Sequence, residues 1–261
     1  MPNGFSGMIF DVDGVLVDSP HEVAWRESLR TLMSGEWADL AGRTSWSVDR
    51  FTPRTYQEVM SGKPRMEGAR DALAHFGIPD ADTRAVRYAE RKQAMVVELI
   101  HDGRFRAYPD ALRFVLAVRA AGMRIAAASS SKNAGLFLSR IRLDTFAAEE
   151  GFPSGAVEDG TTLLDVFDVD ISGRDLIRGK PDPEIFRTAA DELGIPPHAC
   201  VVVEDAVSGV QAAKAARCAA IGLARHDDAA LLQAEGADLV VTTLDDVDLT
   251  GLGRLELARR T

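Results

Sequence analysis

The sequence predicts an α/β protein: a doubly wound, parallel-sheet (Rossmann-like) core interrupted by an inserted helical cap. Three observations carry this expectation. From residue 105 onward, short continuous apolar runs alternate with helical stretches. One further apolar run, "MIFDVD", stands by itself near the N-terminus. Between the two, residues 21–104 contain no convincing strand pattern.

The strand runs come first. After "MIFDVD" (8–13) they are "MRIAAASSS" (123–131), "VFDVDI" (166–171), "CVVVED" (200–205), "AAIGLA" (219–224) and "DLVVTT" (238–243). They are continuous rather than alternating, as expected of parallel strands covered on both faces. Helical patterns lie between them, such as "PDALRFVLAVRAAG" (109–122) and "PEIFRTAADELG" (183–194). Each opens at Pro and stops at Gly, the usual asymmetry of helix ends. Repeated strand–helix–strand units build a doubly wound sheet, which binds ligands at the carboxyl ends of its strands. Those are the ends where the acidic and hydroxyl residues of these runs fall.

The inserted block reads as helices: "HEVAWRESLRTLM", "TYQEVM", "MEGARDALAHFG" and "ADTRAVRYAERKQAMVVELIHDG". Trp25, Trp37 and Trp46 all lie in it and are expected to form its core. The division is therefore a core of residues 1–20 and 105–261 and a cap of 21–104, with the insertion placed as a lid would be. Residues 145–162 are acidic, Gly-rich and non-periodic, and read as a loop.

Composition narrows the function classes. The chain has 261 residues, 46% hydrophobic and 27% charged, with a net charge of −10. Its basic residues are scattered among acids, so no concentrated basic face offers itself to nucleic acid. No run of apolar residues is long enough to span a membrane. The N-terminus lacks a basic segment followed by an apolar stretch, which argues against a secretion signal. Cys200 and Cys218 read as small buried hydrophobes without the spacing of a zinc site or disulfide framework. A cytoplasmic monomer or small homo-oligomer is expected, with no nucleic-acid or membrane partner.

Two carboxylates at the tip of a buried strand are costly unless a turn exposes them or a cation pairs with them. Asp11 and Asp13 end the first run, Ser129 ends the second, Lys180 precedes a helix in "RGKPDPEIF", and Glu204 and Asp205 end "CVVVED". Singly each has an ordinary reading: a strand-end hydroxyl, a solvated loop lysine, acids at a helix start. Together they meet the needs of phosphoryl transfer from a monoester. A carboxylate nucleophile that attacks a dianion needs Mg²⁺ to offset repulsion, and Mg²⁺ takes oxygen ligands. A second acid must protonate the leaving oxygen and later deprotonate water. A hydroxyl and a lysine can cradle the phosphoryl oxygens.

"DVDGVLVDS", the serine of "SSSKN", "GKPDPEIF" and "VVVEDAVSGVQAAKAA" resemble the four motifs of the haloacid dehalogenase superfamily, in that family's order. The helical insertion resembles its C1-type cap. "ASSSKN", "ERKQAMVVELI" and "YPDAL" are most similar to the β-phosphoglucomutase-like branch. The resemblance implies Asp11 as nucleophile, forming a phosphoaspartate, and Asp13 as general acid and base. It implies phosphoryl contacts from Ser129 and Lys180. It implies Mg²⁺ on the Asp11 carboxylate, the Asp13 carbonyl and Asp205, with Glu204 as ligand or supporting partner. It also implies substrate contacts from Lys92, Ser130, Lys132 and Asn133 and, through a looser match, Arg70. The presence of Asp13 argues against dehalogenation. His21 lies near a histidine of the branch's pattern at a shorter spacing, so that role does not carry over.

The expected activity is a Mg²⁺-dependent phosphatase of small phosphorylated metabolites, sugar phosphates above all. The alternative is a phosphomutase of the β-phosphoglucomutase type. A phospho-receiver also uses an acid pair, Mg²⁺ and a lysine, but it is about half this length and has no cap. An inactive scaffold would tolerate loss of the acid set, which is intact here.

Overall fold

A computed structural model describes residues 4–260; residues 1–3 and 261 of the expected core lie outside the described residues. The chain divides into two compact units, Met1–Asp18 with Ala107–Thr261, and Ser19–Arg106.

In chain order the elements are β1 (Gly7–Phe10), β2 (Val17–Asp18), α1 (His21–Ser34), α2 (Pro53–Val59), α3 (Arg65–His75) and α4 (Ala81–His101). There follow β3 (Arg106–Ala107), α5 (Pro109–Ala120), β4 (Arg124–Ala127), α6 (Ala134–Leu138), α7 (Leu143–Glu149), β5 (Val169–Asp170) and α8 (Glu184–Leu193). The chain continues through β6 (Cys200–Glu204), α9 (Val207–Ala216), β7 (Ala219–Leu223), α10 (Ala229–Ala234), β8 (Leu239–Val241) and α11 (Leu249–Leu252).

The first unit is built on a six-stranded sheet in the order β5-β4-β1-β6-β7-β8, every neighbour pair parallel. The chain leaves β1 toward β4 and β5 on one side, then crosses to β6, β7 and β8 on the other. The order reverses at β1, and the crevice beyond the carboxyl end of such a strand is where open α/β sheets hold ligands. One face buries Ile9, Ala126, Val202 and Ala220 against Phe186, Ala189 and Ala190 of α8 and Ala212, Ala213 and Ala216 of α9. The small side chains of α9 let that helix approach the sheet closely. Phe10 meets Phe114 of α5 and Phe167 edge-on, each with ring centroids 6.1 Å apart.

The second unit packs α1 to α4 around Trp25, Leu29, Trp37, Phe51, Leu73 and Tyr88, with Trp46 partly buried against them. Trp25 and Tyr88 meet edge-on at 4.7 Å, and the Tyr88 hydroxyl donates to the Trp25 carbonyl at 3.0 Å. Trp25 and Trp37 are core residues here, as expected, and Trp46 packs at the edge of that core.

Two readings of the sequence are corrected. Residues 143–149 form helix α7 where a loop was expected over 145–162. Its period is carried by Leu143 and Ala147, four apart and both buried, and it is hidden in the sequence by the acids around it. Asp144 ties the rest of the segment down, accepting from the Gly160 N–H at 2.8 Å. The run "VFDVDI" supplies only a two-residue edge strand, because Leu164–Val166 coils into a 3₁₀ turn first. Cys200 and Cys218 are buried and unbridged, and burial pushes both thiols up to about 12. Among the described residues no helix is long and apolar enough to cross a membrane.

Candidate active site

The strand ends bring Asp11, Asp13, Ser129, Lys180, Glu204 and Asp205 together. Asp11 is the first residue beyond β1 and is buried; its N–H donates to the Val203 carbonyl at 3.0 Å, which continues the β1–β6 ladder by one step. Glu204 is the last residue of β6, and Asp205 follows it. Lys180, fully buried, enters from the segment before α8 and donates from Nζ to Asp11 Oδ1 at 2.6 Å and to Glu204 Oε1. Glu204 Oε2 accepts from the Ala206 N–H at 2.9 Å. Each Glu204 oxygen thus has a partner within the protein, one of them Lys180.

Ser129 lies two residues beyond β4. Its hydroxyl donates to Asp13 Oδ2 at 3.2 Å and accepts from the Ser131 N–H at 3.1 Å. That second bond fixes the hydroxyl's direction. The turn after Asp13 depends on Gly14, whose φ is +84°, a backbone region costly for side-chain-bearing residues. A Cβ there would sit 2.0 Å from Asp205 Oδ2. A Cβ at Gly209 in α9 would sit 1.8 Å from Glu204 Oε1. These two glycines let the acids approach the backbone. Gly14→Ala is expected to lower activity at least about tenfold and to destabilise the fold by about 1–3 kcal/mol. Kinetics and denaturant unfolding of the purified variant check both effects.

Four carboxylates thus crowd one buried ammonium, and two of them, Asp11 and Glu204, are bonded to it. Burial is the largest influence on Asp11 and, with Glu204 and Asp13, raises its carboxyl to about 7 against the pull of Lys180. Asp205 is pushed well above the carboxylate range by burial, then by Glu204 and Asp11. Lys180 is held above its usual value: its two carboxylate partners outweigh the burial that acts the other way. Excess negative charge in a dry site calls for a hard cation or for protons. Among the described residues no three Asp, Glu, His or Cys side chains converge as a metal cage. Mg²⁺ does not need one, since it takes one or two carboxylates and fills the remaining positions with carbonyls, waters and substrate oxygens. Asp11, Asp205 and the Asp13 carbonyl fit that demand.

A family profile described as haloacid dehalogenase-like hydrolase matches residues 5–217. The chain belongs to the haloacid dehalogenase superfamily. Within it the chain falls in the β-phosphoglucomutase-like branch, and the helical insertion is consistent with a C1 cap. It is 33% identical to a β-phosphoglucomutase of Mycobacterium bovis, over 95% of this chain and 93% of that protein. It is 30% identical to a phosphorylated carbohydrates phosphatase of Thermotoga maritima, over 89% and 93%. Among solved structures it resembles an archaeal β-phosphoglucomutase from a Pyrococcus species, with TM-score 0.67 and 28% identity over 94% and 96% of the two chains. The protein is thus a haloacid dehalogenase-type enzyme, a phosphatase or a phosphoglucomutase, of a family typically dependent on Mg²⁺.

The other residues expected to contact substrate lie in different settings. Asn133 is buried beside the Ser129 loop, its N–H donating to Ser131 Oγ at 3.2 Å, and Ser130 lies in the same loop. Lys132 points elsewhere, to Asp175 Oδ1 at 2.6 Å on an exposed surface. In the helical unit Lys92 is buried on α4, its ammonium 4.9 Å from the centre of the Trp25 ring. Arg70 of α3 is half-exposed and pairs with Asp82 at 2.9 Å, as a surface helix charge would. His21 is buried at the start of α1.

Proposed function

We propose that this chain is a Mg²⁺-dependent phosphatase of small phosphorylated metabolites, chiefly sugar phosphates, working through a phosphoaspartate on Asp11. The observation that carries the proposal is the buried Asp11–Lys180–Glu204 chain beside an Asp13 already hydrogen-bonded to Ser129.

Lys180 fixes the Asp11 carboxylate by gripping Oδ1, so that attack begins from one orientation. An Asp11 oxygen bonds to phosphorus as the bond from phosphorus to the leaving oxygen breaks. Asp13 gives that oxygen its proton. Water then attacks phosphorus and gives a proton to Asp13, and the acyl-phosphate bond breaks to regenerate Asp11. Ser129 Oγ, turning its single proton from Asp13 to the substrate, and the third N–H of Lys180 would hold phosphoryl oxygens, where charge is spread in the transition state. Bound Mg²⁺, held by Asp11, Asp205 and the Asp13 carbonyl, would neutralise charge between nucleophile and phosphoryl group.

The substrate class rests on the relatives' names, a β-phosphoglucomutase and a phosphorylated carbohydrates phosphatase. The first supports the second reading, a mutase, in which a sugar hydroxyl takes water's place. A mutase must hold a bisphosphorylated intermediate while it reverses and needs cations in its cap; here Arg70 is engaged by Asp82 and Lys63 by Asp71. Two of the cap's cations are thus paired already, which favours the phosphatase; Lys92 is the cap cation that would make the case for a mutase. The test is phosphate release across a panel of sugar phosphates, run beside isomerisation of β-glucose 1-phosphate. Isomerisation without net phosphate release would overturn the phosphatase reading in favour of the mutase. Lys92→Ala gives a second view. A clamping lysine would cost about tenfold or more in kcat/KM, and we expect that loss with the best substrate.

Mg²⁺ should also register without turnover. A carboxyl raised in the fold keeps its proton to higher pH than in the unfolded chain, so the native state binds more protons over that window. Stability of the metal-free protein is therefore expected to fall as pH rises from about 4 to about 7, the window set by Asp11. Added Mg²⁺ binds the native carboxylates in place of those protons, so it should raise Tm more at pH 7 than at pH 5. Thermal unfolding at both pH values, with chelator and with Mg²⁺, checks this.

A further inference from the structure

Arg225 follows β7 in "GLARHDD" and belongs to none of the four motifs. One of its guanidinium nitrogens donates to Asp110 Oδ2 at 2.9 Å and another to the Val15 carbonyl at 3.3 Å. The guanidinium carbon lies over the Tyr108 ring, 3.9 Å from its centre. Tyr108 in turn donates its N–H to the Leu16 carbonyl at 3.0 Å. Two successive carbonyls of the turn after Asp13 are thus captured from the same side.

The anchor beneath this grip is firm. Asp110, buried at the start of α5, also accepts from Thr243 Oγ1 at 3.0 Å and the Leu244 N–H at 2.8 Å, just beyond β8. Its hydrogen bonds to Arg225 and Leu244 hold its carboxyl below the usual range despite burial. Within the turn, the Val12 carbonyl accepts from Leu16 N–H at 2.9 Å and Val17 N–H at 3.0 Å, and Gly14 N–H donates to the Val17 carbonyl at 2.8 Å. These bonds close the turn on itself but do not orient it against the sheet. Arg225 and Tyr108 orient the far side of the turn, while Asp13, near its start, is also tied to the end of β4 by Ser129 Oγ at 3.2 Å. A planar fork with several donors can bond two acceptors and stack at once; a lysine cannot.

We propose that Arg225, braced by Asp110 and Tyr108, is a positioning residue that aims the Asp13 carboxyl at the reacting oxygens. This rests on Asp13 being the general acid and base. Misplacement by a fraction of an ångström is costly in such a role.

The test is a double-mutant cycle on the best alkyl phosphate of the sugar-phosphate panel, whose leaving oxygen needs a proton, with Mg²⁺ present. Arg225→Lys keeps a cation beside Asp110, so it is expected to hold Tm near wild type. It should lower kcat about tenfold or more while KM changes less than about threefold. In an Asp13→Asn background the same substitution should change the residual kcat by less than about twofold, because the group it aims is gone. An unchanged kcat in folded Arg225→Lys overturns the proposal, and so does an equal loss in both backgrounds, which marks a structural role. Failure of the underlying reading looks different: Asp13→Asn would itself keep near-wild-type turnover.

Discussion

Asp11→Asn is expected to abolish turnover in a protein that remains folded. An amide nitrogen cannot replace the attacking oxygen, and the neutral side chain surrenders the charge that binds a cation. Loss of a general acid or base typically costs about 10²–10⁴-fold; loss of the nucleophile should exceed that range. The fold should tolerate the change, because the site already carries more carboxylates than cations, and burial alone pushes Asp11 toward its neutral form. Asn also keeps an oxygen for Lys180. Activity within about tenfold of wild type would remove Asp11 from the nucleophile's role.

Lys180→Met should be the most damaging change to stability as well as to activity. Nζ of Lys180 reaches Asp11 and Glu204 in a fully buried place. Methionine fills much the same volume but leaves two buried carboxylates facing each other without their ammonium. Removing one member of a buried charge set costs about 3–5 kcal/mol. The remaining carboxylates would take up protons, so the loss should grow as pH rises from 5 to 8. Urea unfolding across that range checks it, and a loss below about 1 kcal/mol at pH 8 would contradict the geometry. Glu204→Gln should be milder, since the amide oxygen can still accept from Lys180.

The extent to which this site could be read in the sequence follows from where its residues sit. Asp11, Ser129, Glu204 and Asp205 are at or just beyond strand ends, and strands announce themselves by local apolar runs. Lys180 is the exception: nothing local says that it turns inward, and only its place in "GKPDPEIF" pointed to the site. The helices of the inserted unit were legible because their period repeats over several turns. What stayed hidden depends on partners far apart in the chain. Lys92 finds the Trp25 ring, Arg70 finds Asp82, Lys132 finds Asp175, and Arg225 finds Val15 and Asp110. A side chain's partner across such a separation is set by how elements pack, and no spacing rule states it. Helix α7 was missed for the opposite reason: a short period of two buried residues was outweighed by the acids and glycines around it.

The central claim is that the phosphoryl group passes through Asp11. Enzyme mixed with its best sugar phosphate and Mg²⁺, quenched in acid and reduced with borohydride, converts an aspartyl phosphate to homoserine. Peptide mass spectrometry should find homoserine at position 11 only when substrate was present, and none in Asp11→Asn. Homoserine at another aspartate, or none at all under conditions where a pre-steady-state burst shows the intermediate accumulating, would contradict the account.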